Sequence, residues 1–180
     1  MSLLKHAFLA LVLSFSPAFA GDMPEDLRIV LTAEVANFGQ QFNDGNMSAI
    51  FDYMPAKVIE TLTAQSGLSQ DDLFAAMTTE IESAMTQVTI DDFSMDMDSA
   101  NWQMTPDGST GYALIPTVTE MTVEGMGKVK ATGETLAFQE GEQWYLVRVD
   151  DAAQAQMLVA AYPAFDGVTF TPGKMDVVAE

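Results

Sequence analysis

Arg148 is the residue whose neighbours best suit it to bind a ligand. It follows Trp144 and Leu146 at a spacing of two, and side chains at that spacing in a β-strand point to the same face of a sheet. A guanidinium beside an indole ring would hold an anionic group against an apolar wall. The alternative is an ion pair with a nearby carboxylate, because the chain has 26 Asp and Glu for 7 Lys and Arg. The ion pair is the more economical interpretation.

Tyr112 and Trp102 are candidates for the wall of the same pocket. Both are large aromatic side chains in segments that are predicted to lie on or near strands. Aromatic residues carry much of the apolar area that a small core buries. Ordinary core packing is therefore the alternative for both.

Residues 1–20 are predicted to be a cleavable signal peptide. The segment has Lys5 near its start, an apolar run over 7–15, and small residues at Ala18 and Ala20 before Gly21, in the order typical of export signals. The run is too short to span a bilayer, which needs about 20 residues, and no cysteine follows for lipid attachment. We therefore expect cleavage between Ala20 and Gly21, and a bacterial protein that is periplasmic or secreted.

Cleavage would remove His6, the only histidine, from a chain that has no cysteine. The mature protein would then have no Ser-His-Asp or Cys-His nucleophile and no histidine general base. Zinc sites built on His or Cys are excluded in the same way. Disulfide bonds are excluded too, so the core must stabilise the domain.

The mature chain would be strongly acidic. Loss of Lys5 leaves six basic residues against 26 acidic ones, a net charge of −20. Such a surface repels nucleic acid and anionic lipid headgroups, so we expect neither nucleic acid nor a membrane as a partner after cleavage. Acidic excess serves solubility more often than binding. The hydrophobic content of 48% excludes a disordered chain.

Four aspartates between positions 91 and 98 raise the question of a calcium site, since hard cations prefer oxygen ligands. An EF-hand loop counted from Asp92 needs glycine at its sixth position and glutamate at its twelfth, where the chain has Met97 and Gln103. The pattern favours a solvated strand face instead. The methionines fall at core spacings and do not form a copper-binding tract. We expect no metal and no cofactor.

Hydrophobic periodicity of about 3.6 predicts the helices. They cover 24–43, 48–53, 56–65, a stretch from Ser69 towards Val88, and 152–162. Asp22 is predicted to cap the first helix, and Ser69 with Asp72 forms a capping box for the third long one. Asp151, with Asp150 before it, is predicted to cap the last helix.

The period changes to two after Val88, which predicts strands. They cover 92–98, 110–123, 128–139 and 143–149, with turns at 106–109, 125–127 and 140–142. Strands in sequence joined by short turns form an antiparallel meander. Pro116 indicates an edge strand or a bulge, and a further short strand is predicted at 168–171.

These elements predict an α+β fold. N-terminal helices would pack on one face of a curved, cone-like antiparallel meander of four strands, followed by a C-terminal helix and tail. Residues 21–163 would form a single domain. Residues 164–180 would form a tail that is either mobile or packed on that domain.

Two segments resemble nuclear transport factor 2-like domains. Residues 40–46 (QQFNDGN) and 50–54 (IFDYM) are similar to their opening, where a long helix ends in an Asp-Gly turn and a short apolar helix precedes a proline. Residues 141–147 (GEQWYLV) resemble the hairpin that enters their final long strand. The resemblance covers roughly residues 25–150. It departs from the family in the missing short strand between the second and third helices and in the extension over 151–180.

The resemblance implies a cone whose interior is a ligand pocket, an active site or filled core, so fold does not settle function. The enzymes that this resemblance suggests are of the ketosteroid isomerase, dehydratase and epoxide hydrolase types. No catalytic motif of these enzymes matches this chain, so its catalytic residues stay unknown. We expect an exported, non-enzymatic domain that binds a small molecule or a protein partner. One alternative is an oligomeric or accessory scaffold that self-associates through an exposed apolar patch. A second is a small isomerase, dehydratase or hydrolase with an Asp/Tyr/Arg pocket.

Overall fold

The computed structural model describes residues 22–178. The predicted signal peptide and its cleavage site at Ala20 and Gly21 lie outside these residues. The helices are α1 (Glu25–Asn43), a 3-10 helix (Met47–Tyr53), α2 (Ala56–Ser66), α3 (Gln70–Met85), α4 (Ala152–Ala161) and a short 3-10 turn (Pro163–Phe165). The strands are β1 (Val88–Met95), β2 (Asn101–Met104), β3 (Gly111–Val123), β4 (Gly127–Glu140), β5 (Gln143–Arg148) and β6 (Lys174–Val177). The α+β fold class is confirmed.

The sheet is built on one long hairpin. β3 and β4 pair without interruption from Tyr112 and Phe138 to Val123 and Gly127. On the other side of β3 lie β1 and β2, one after the other along its length. On the other side of β4 lie β5 and β6 in the same way. The sheet is therefore four strands wide with two divided outer strands, and it curls into a half-barrel.

The prediction of four strands was incomplete. β2 is only four residues long and β6 lies at 174–177, so the strand predicted at 168–171 was wrong. Short segments of this kind gain their order from pairing with a neighbour, and local periodicity does not reveal them. The first strand begins at Val88, earlier than predicted, and a bulge between Ile90 and Asp92 interrupts its alternation.

Pro116 does not lie on an edge strand. Its carbonyl accepts a hydrogen bond from the Asp96 N–H at 2.9 Å, and in antiparallel pairing the N–H and C=O of a residue point to the same side. The missing N–H of Pro116 therefore faces the gap between β1, which ends opposite Thr117, and β2, which begins opposite Leu114. An inner strand accommodates proline here because no neighbour requires its N–H.

The helices cover both faces of the sheet, where the sequence had predicted one. α1 packs through Leu31, Val35 and Phe38 against one face, which includes Ile115 and Trp144. The opposite face packs against α2 and α4 through a second buried cluster: Val58, Tyr112, Leu114, Leu136, Phe138, Val149, Leu158, Tyr162 and Phe165. Neighbouring residues of β3 alternate between the two clusters, as the period of two requires.

Two of the three predicted helix caps are present. The Ser69 hydroxyl accepts the Asp72 N–H at 3.2 Å and donates to its carboxylate at 2.6 Å. Asp151 accepts the N–H groups of Ala153 and Gln154, both at 2.8 Å. The cap predicted at Asp22 was wrong, because α1 begins after Pro24 and no side chain caps it. Asp22 is two residues too early to reach the first free N–H groups.

Residues after α4 contact the sheet. Phe165 is 1% exposed, and its ring packs edge-on against Phe138 at 5.1 Å and Tyr112 at 5.7 Å between centroids. Further along, β6 pairs with β4. No helix within residues 22–178 has the length and apolarity needed to cross a membrane.

Tyr162, Glu140 and Lys57 join α4 and α2 to the β4–β5 turn. Glu140 accepts hydrogen bonds from Lys57 Nζ at 2.6 Å and from the Tyr162 hydroxyl at 3.1 Å. The Lys57 contact lowers the pKa of the Glu140 carboxyl. Burial, and then the Glu140 carboxylate, raise the pKa of the Tyr162 phenol.

Replacing Phe165 by alanine should destabilise the whole domain. Loss of a buried phenylalanine costs about 3–5 kcal/mol, which at this chain length lowers Tm by roughly 10 °C. Thermal and urea unfolding would measure the change. Val177→Ala is the control, because Val177 lies on the same tail but is 63% exposed. Equal, small effects of both substitutions would show that the tail does not stabilise the core.

Stability should fall as pH rises above about 10. The folded state holds the Tyr162 proton more tightly than the unfolded state, so this contribution is complete below the ordinary tyrosine pKa near 10 and is lost above it. Urea unfolding between pH 8.5 and 11.5 should show a smaller decline in Tyr162→Phe. Because Lys57 also donates a hydrogen bond to Glu140, the comparison is repeated in a Lys57→Met background. If the free energy of unfolding declines with pH equally with and without Tyr162→Phe, in both backgrounds, the decline does not come from the Tyr162 phenol.

Candidate binding groove

The four predicted site residues do not share one pocket. Trp144 and Arg148 lie on β5, and Trp102 lies on β2 at the opposite edge of the sheet. Tyr112 belongs to the buried cluster on the other face. The structure brings together Trp144 and Leu146, both in the α1-facing cluster, while Arg148 lies beyond them at the end of the strand.

Trp144 is part of the core. It is 2% exposed and packs among residues of α1 and the inner strands. Its indole Nε1–H is buried and has no hydrogen-bond partner among residues 22–178. Leaving such a donor without a partner costs on the order of 1–3 kcal/mol.

Tyr112 also has a structural environment. Its hydroxyl donates to Gln103 Oε1 at 2.9 Å, and burial raises the pKa of the phenol. The ring contacts Phe165 edge-on. The hydrogen bond joins β3 to β2 and leaves Tyr112 far from Arg148 in the sheet.

Trp102 lines a cleft with a volume of about 550 Å³. Its ring lies across Gly111 so closely that a Cβ at position 111 would overlap it. The other walls are mostly charged or polar and include Asp22, Glu25 and an Arg28–Asp98 ion pair of 3.5 Å. Because these groups are solvated and largely acidic, the cleft offers little apolar burial to a ligand.

Arg148 lines a different site, an apolar groove of about 310 Å³. Its walls come from four elements. They are Ile50 of the 3-10 helix, Met54 directly after that helix, Val58 and Leu62 of α2, Leu146 of β5, and Met157 and Leu158 of α4. Ligand pockets typically enclose about 300–1,000 Å³ and combine apolar walls with a few polar groups. We call this site the β5 groove.

The β5 groove runs along the free edge of β5. Leu146, Val147 and Arg148 all line it, although successive strand residues point to opposite faces. Three consecutive residues can line one groove only if the groove runs along the edge of the strand, because there it is open to both faces of the sheet. This edge of β5 lies between the helical layers that cover the two faces. Leu146 is 7% exposed, so the strand edge itself is largely covered.

Arg148 is held at the mouth of the groove by an ion pair. Its Nε donates to Asp150 Oδ2 at 2.6 Å, and each side chain is about one third exposed, 31% and 32%. The Asp150 N–H donates to Gln154 Oε1 at 2.6 Å, which joins the pair to α4. The ion pair that the sequence offered as the alternative for Arg148 is therefore present.

Two glycines make room for this ion pair. A Cβ at Gly133 would lie 2.8 Å from Asp150 Oδ1 and 3.0 Å from Arg148 Nη2, and one at Gly173 would overlap the same carboxylate. Asp150 Oδ1 is buried without a hydrogen-bond partner among residues 22–178. The carboxylate thus retains an unused acceptor, and the guanidinium retains N–H groups that its bond to Asp150 does not use.

No titratable group with a resolved shift among residues 22–178 has its pKa moved towards neutral pH. Burial raises the pKa of three tyrosines, which are Tyr53, Tyr112 and Tyr162. Hydrogen bonds lower the pKa of three carboxyl groups, which are Asp96, Asp107 and Glu140. Both directions favour the ordinary neutral-pH protonation state, whereas a general acid or base needs a pKa near the working pH. No cluster of three or more His, Cys, Asp or Glu suited to a metal occurs within 22–178.

The sequence indicated Arg148 but missed the groove beside it. Part of the signal was available: Ile50 lies on the short helix predicted over 48–53, and Val58 and Leu62 recur at a spacing of four on α2. What no local pattern showed is that these helices and α4 meet at the β5 edge. The approach of Gly133 to Asp150 is likewise a long-range contact without a sequence signature.

Comparison with known proteins does not assign the chain to a family: no family model, no curated protein and no solved structure matches it.

The two tryptophans should differ in solvent access. Trp144→Phe leaves Trp102, and Trp102→Phe leaves the buried Trp144. Acrylamide should quench the emission of Trp102, measured in Trp144→Phe, strongly. It should quench the emission of Trp144, measured in Trp102→Phe, weakly, and that emission should be blue-shifted. Acrylamide is preferred because an acidic protein would repel iodide. Equal quenching of both variants would contradict the burial of Trp144.

Proposed function

We propose that the mature protein is an exported, non-enzymatic binding protein whose ligand is a slender amphiphile with an alkyl chain and a carboxylate head. The observation that carries the proposal is the β5 groove, which has apolar walls and a single cation, Arg148, among its lining residues. An alkyl chain would lie against Met54, Leu62 and Met157. Its carboxylate would accept N–H groups of Arg148 at the mouth.

The chemistry of the mouth supports an acceptor as the ligand's polar group. Gln154 Oε1 already accepts from Asp150, so its amide nitrogen is the part of that side chain left to donate. Arg148 has donors only. Both groups favour a carboxylate or carbonyl oxygen over an amine.

A slender chain suits the groove better than a peptide. A peptide that adds a strand to a sheet needs an accessible edge, and Leu146 is 7% exposed at the middle of β5. An alkyl chain needs no hydrogen bond from that edge. Its burial alone contributes roughly 0.8 kcal/mol per CH₂ group.

The enzymatic alternative needs a tyrosine, a carboxylate and Arg148 in one pocket. Tyr112 and Arg148 lie in different parts of the sheet, and the Tyr112 hydroxyl is bonded to Gln103. The arrangement therefore favours binding over catalysis. Membership of the nuclear transport factor 2-like superfamily is also a proposal, supported by the long first helix, the Asp44-Gly45 turn and the cone-like curl of the sheet.

Binding is tested with a fluorescent fatty-acid probe, dansyl-undecanoic acid, displaced by decanoate or by decanol. Arg148→Gln should weaken decanoate about tenfold or more, since a hydrogen bond to a charged group contributes about 1.5–3 kcal/mol. Decanol should be nearly unaffected. The Arg148→Gln substitution leaves the Asp150 carboxylate without its ion-pair partner, and this charge could itself repel decanoate. The double variant Arg148→Gln/Asp150→Asn removes that charge and should bind decanoate as weakly as the single variant.

Two controls locate the site. Arg28→Gln removes the cation of the charged cleft and should leave affinity unchanged, whereas Met157→Trp should fill the β5 groove and weaken both ligands. Raising NaCl from 20 to 200 mM should strengthen decanoate binding. Salt screens the long-range repulsion from the acidic mature protein, whose net charge after loss of Lys5 would be −20, more than it screens the contact with Arg148. Probe binding that is absent in the wild type, or equally sensitive to Arg28→Gln, would overturn the proposal.

A further inference from the structure

The outer edge of β6 presents exposed apolar side chains. Met175 is 65% exposed and Val177 is 63% exposed, and all four residues of β6 are exposed. One edge of β6 pairs with β4, and no strand within residues 22–178 pairs with its other edge. Open strand edges of this kind form templates for a further strand.

The register shows which backbone groups face outward. Val178 N–H donates to Lys128 C=O at 2.9 Å, which makes 128 and 178 a hydrogen-bonded pair. Such pairs alternate along an antiparallel ladder, so Lys174 and Asp176 bond to β4. The N–H and C=O groups of Met175 and Val177 therefore point to the open edge.

Charge selects one antiparallel register for a second copy of this edge. If Met175 lies opposite the second copy's Met175, each Lys174 lies opposite an Asp176. If Met175 instead lies opposite the second copy's Val177, the two Asp176 side chains face each other. Opposite charges stabilise cross-strand pairs and like charges destabilise them, so the first register is favoured.

The first register also fits the remaining residues. Met175 exchanges two hydrogen bonds with its symmetry mate. Gly173, which precedes β6, donates its N–H to Asp150 C=O of its own chain at 3.1 Å, so the backbone bonds between the copies are those of the Met175 pair. Met175 and Val177 of both copies share one face, and Lys174 and Asp176 share the other, because side chains alternate.

Lys174 is suited to an intermolecular ion pair. Residues 22–178 contain six basic residues, and four of them form ion pairs: Arg28, Lys57, Lys130 and Arg148. Lys174 has no carboxylate within ion-pairing distance in that part of the chain. Since Lys174 forms no ion pair with an acidic residue among residues 22–178, it is available to a partner's Asp176.

We propose that a second copy of this chain docks antiparallel on the edge of β6, with Met175 on the twofold axis and Lys174 opposite the second copy's Asp176. The dimer is isologous, since each copy uses the same surface. A four-residue strand buries much less than a standard interface of about 1,600 Å². The dimer is therefore weak and depends on concentration. It leaves the β5 groove open and does not depend on the proposed ligand.

Sedimentation equilibrium of the mature protein from 10 μM to 1 mM, at 150 and 500 mM NaCl, tests the proposal. The wild type should approach twice the chain mass at high concentration, and more readily at high salt, because salt screens the repulsion between two acidic molecules. Met175→Pro should raise the dissociation constant about tenfold or more. It removes an N–H that faces outward and leaves the bonds between β6 and β4 in place. Circular dichroism and Tm verify that the variant folds.

A charge exchange tests the register. Lys174→Asp should weaken the dimer, and the double variant Lys174→Asp/Asp176→Lys should restore it, because each pair again has opposite charges. Arg28→Asp changes the net charge equally at a distant site and should have a smaller effect than Lys174→Asp. A wild type that stays monomeric throughout, or a dimer that Met175→Pro leaves intact, would overturn the proposal. Failure of the double variant to recover would overturn the register.

Discussion

The pairing of β3 with β4 supports the rest of the structure, since each other strand is added to one of these two. β1 and β2 pair with β3, and β5 and β6 pair with β4. The two divided edges break at the same level of the hairpin. Pro116 lies opposite Glu134, and Thr117 lies opposite Gly133. At that level a buried hydrogen bond of 2.7 Å joins the hydroxyl groups of Thr117 and Thr135. The hairpin therefore stays continuous where both of its neighbours are interrupted.

This break divides the sheet into two parts with different surroundings. In the part with β2 and β5, helices cover both faces, and the β5 groove forms where the two helical layers meet. In the part with β1 and β6, one face carries polar pairs such as Lys130–Glu120 and Thr122–Asp91. The edge of that part is open at β6. The β5 groove and the open edge of β6 thus lie in different halves of one sheet.

Local sequence signals predicted those parts of the fold that local physics determines. The stripe of Leu31, Val35 and Phe38 predicted α1 and its buried face. Gly67 adopts the left-handed conformation that ends α2, and Asp151 caps α4. These features depend on neighbours within a few residues of each other. The antiparallel order of β3, β4 and β5 followed from their short turns.

The features that sequence could not predict depend on distant residues. β6 becomes a strand because β4 extends past the end of β5, and β2 becomes one because β3 extends past the end of β1. Trp144 and Arg148 point to the same face, as predicted, but four residues of strand span about 13 Å. That distance separates a buried core position from the mouth of a groove. A shared face therefore does not imply a shared site, and the two residues have different roles.

The few basic side chains of this chain reduce electrostatic repulsion at particular places on a strongly acidic surface. Lys57 joins α2 to the β4–β5 turn, Lys130 bridges the central hairpin, and Arg148 at the end of β5 pairs with Asp150. Exposed pairs of this kind add about 1 kcal/mol or less to stability. Their larger effect is to reduce repulsion locally, where two carboxylate-rich elements meet. Two lysines form no ion pair within residues 22–178: Lys174 is the first residue of β6, and Lys128 lies opposite Val178 just after that strand. Lys128 is next to the residues of β4 that pair with β6, so these two positive charges reduce the repulsion between two acidic copies at that edge.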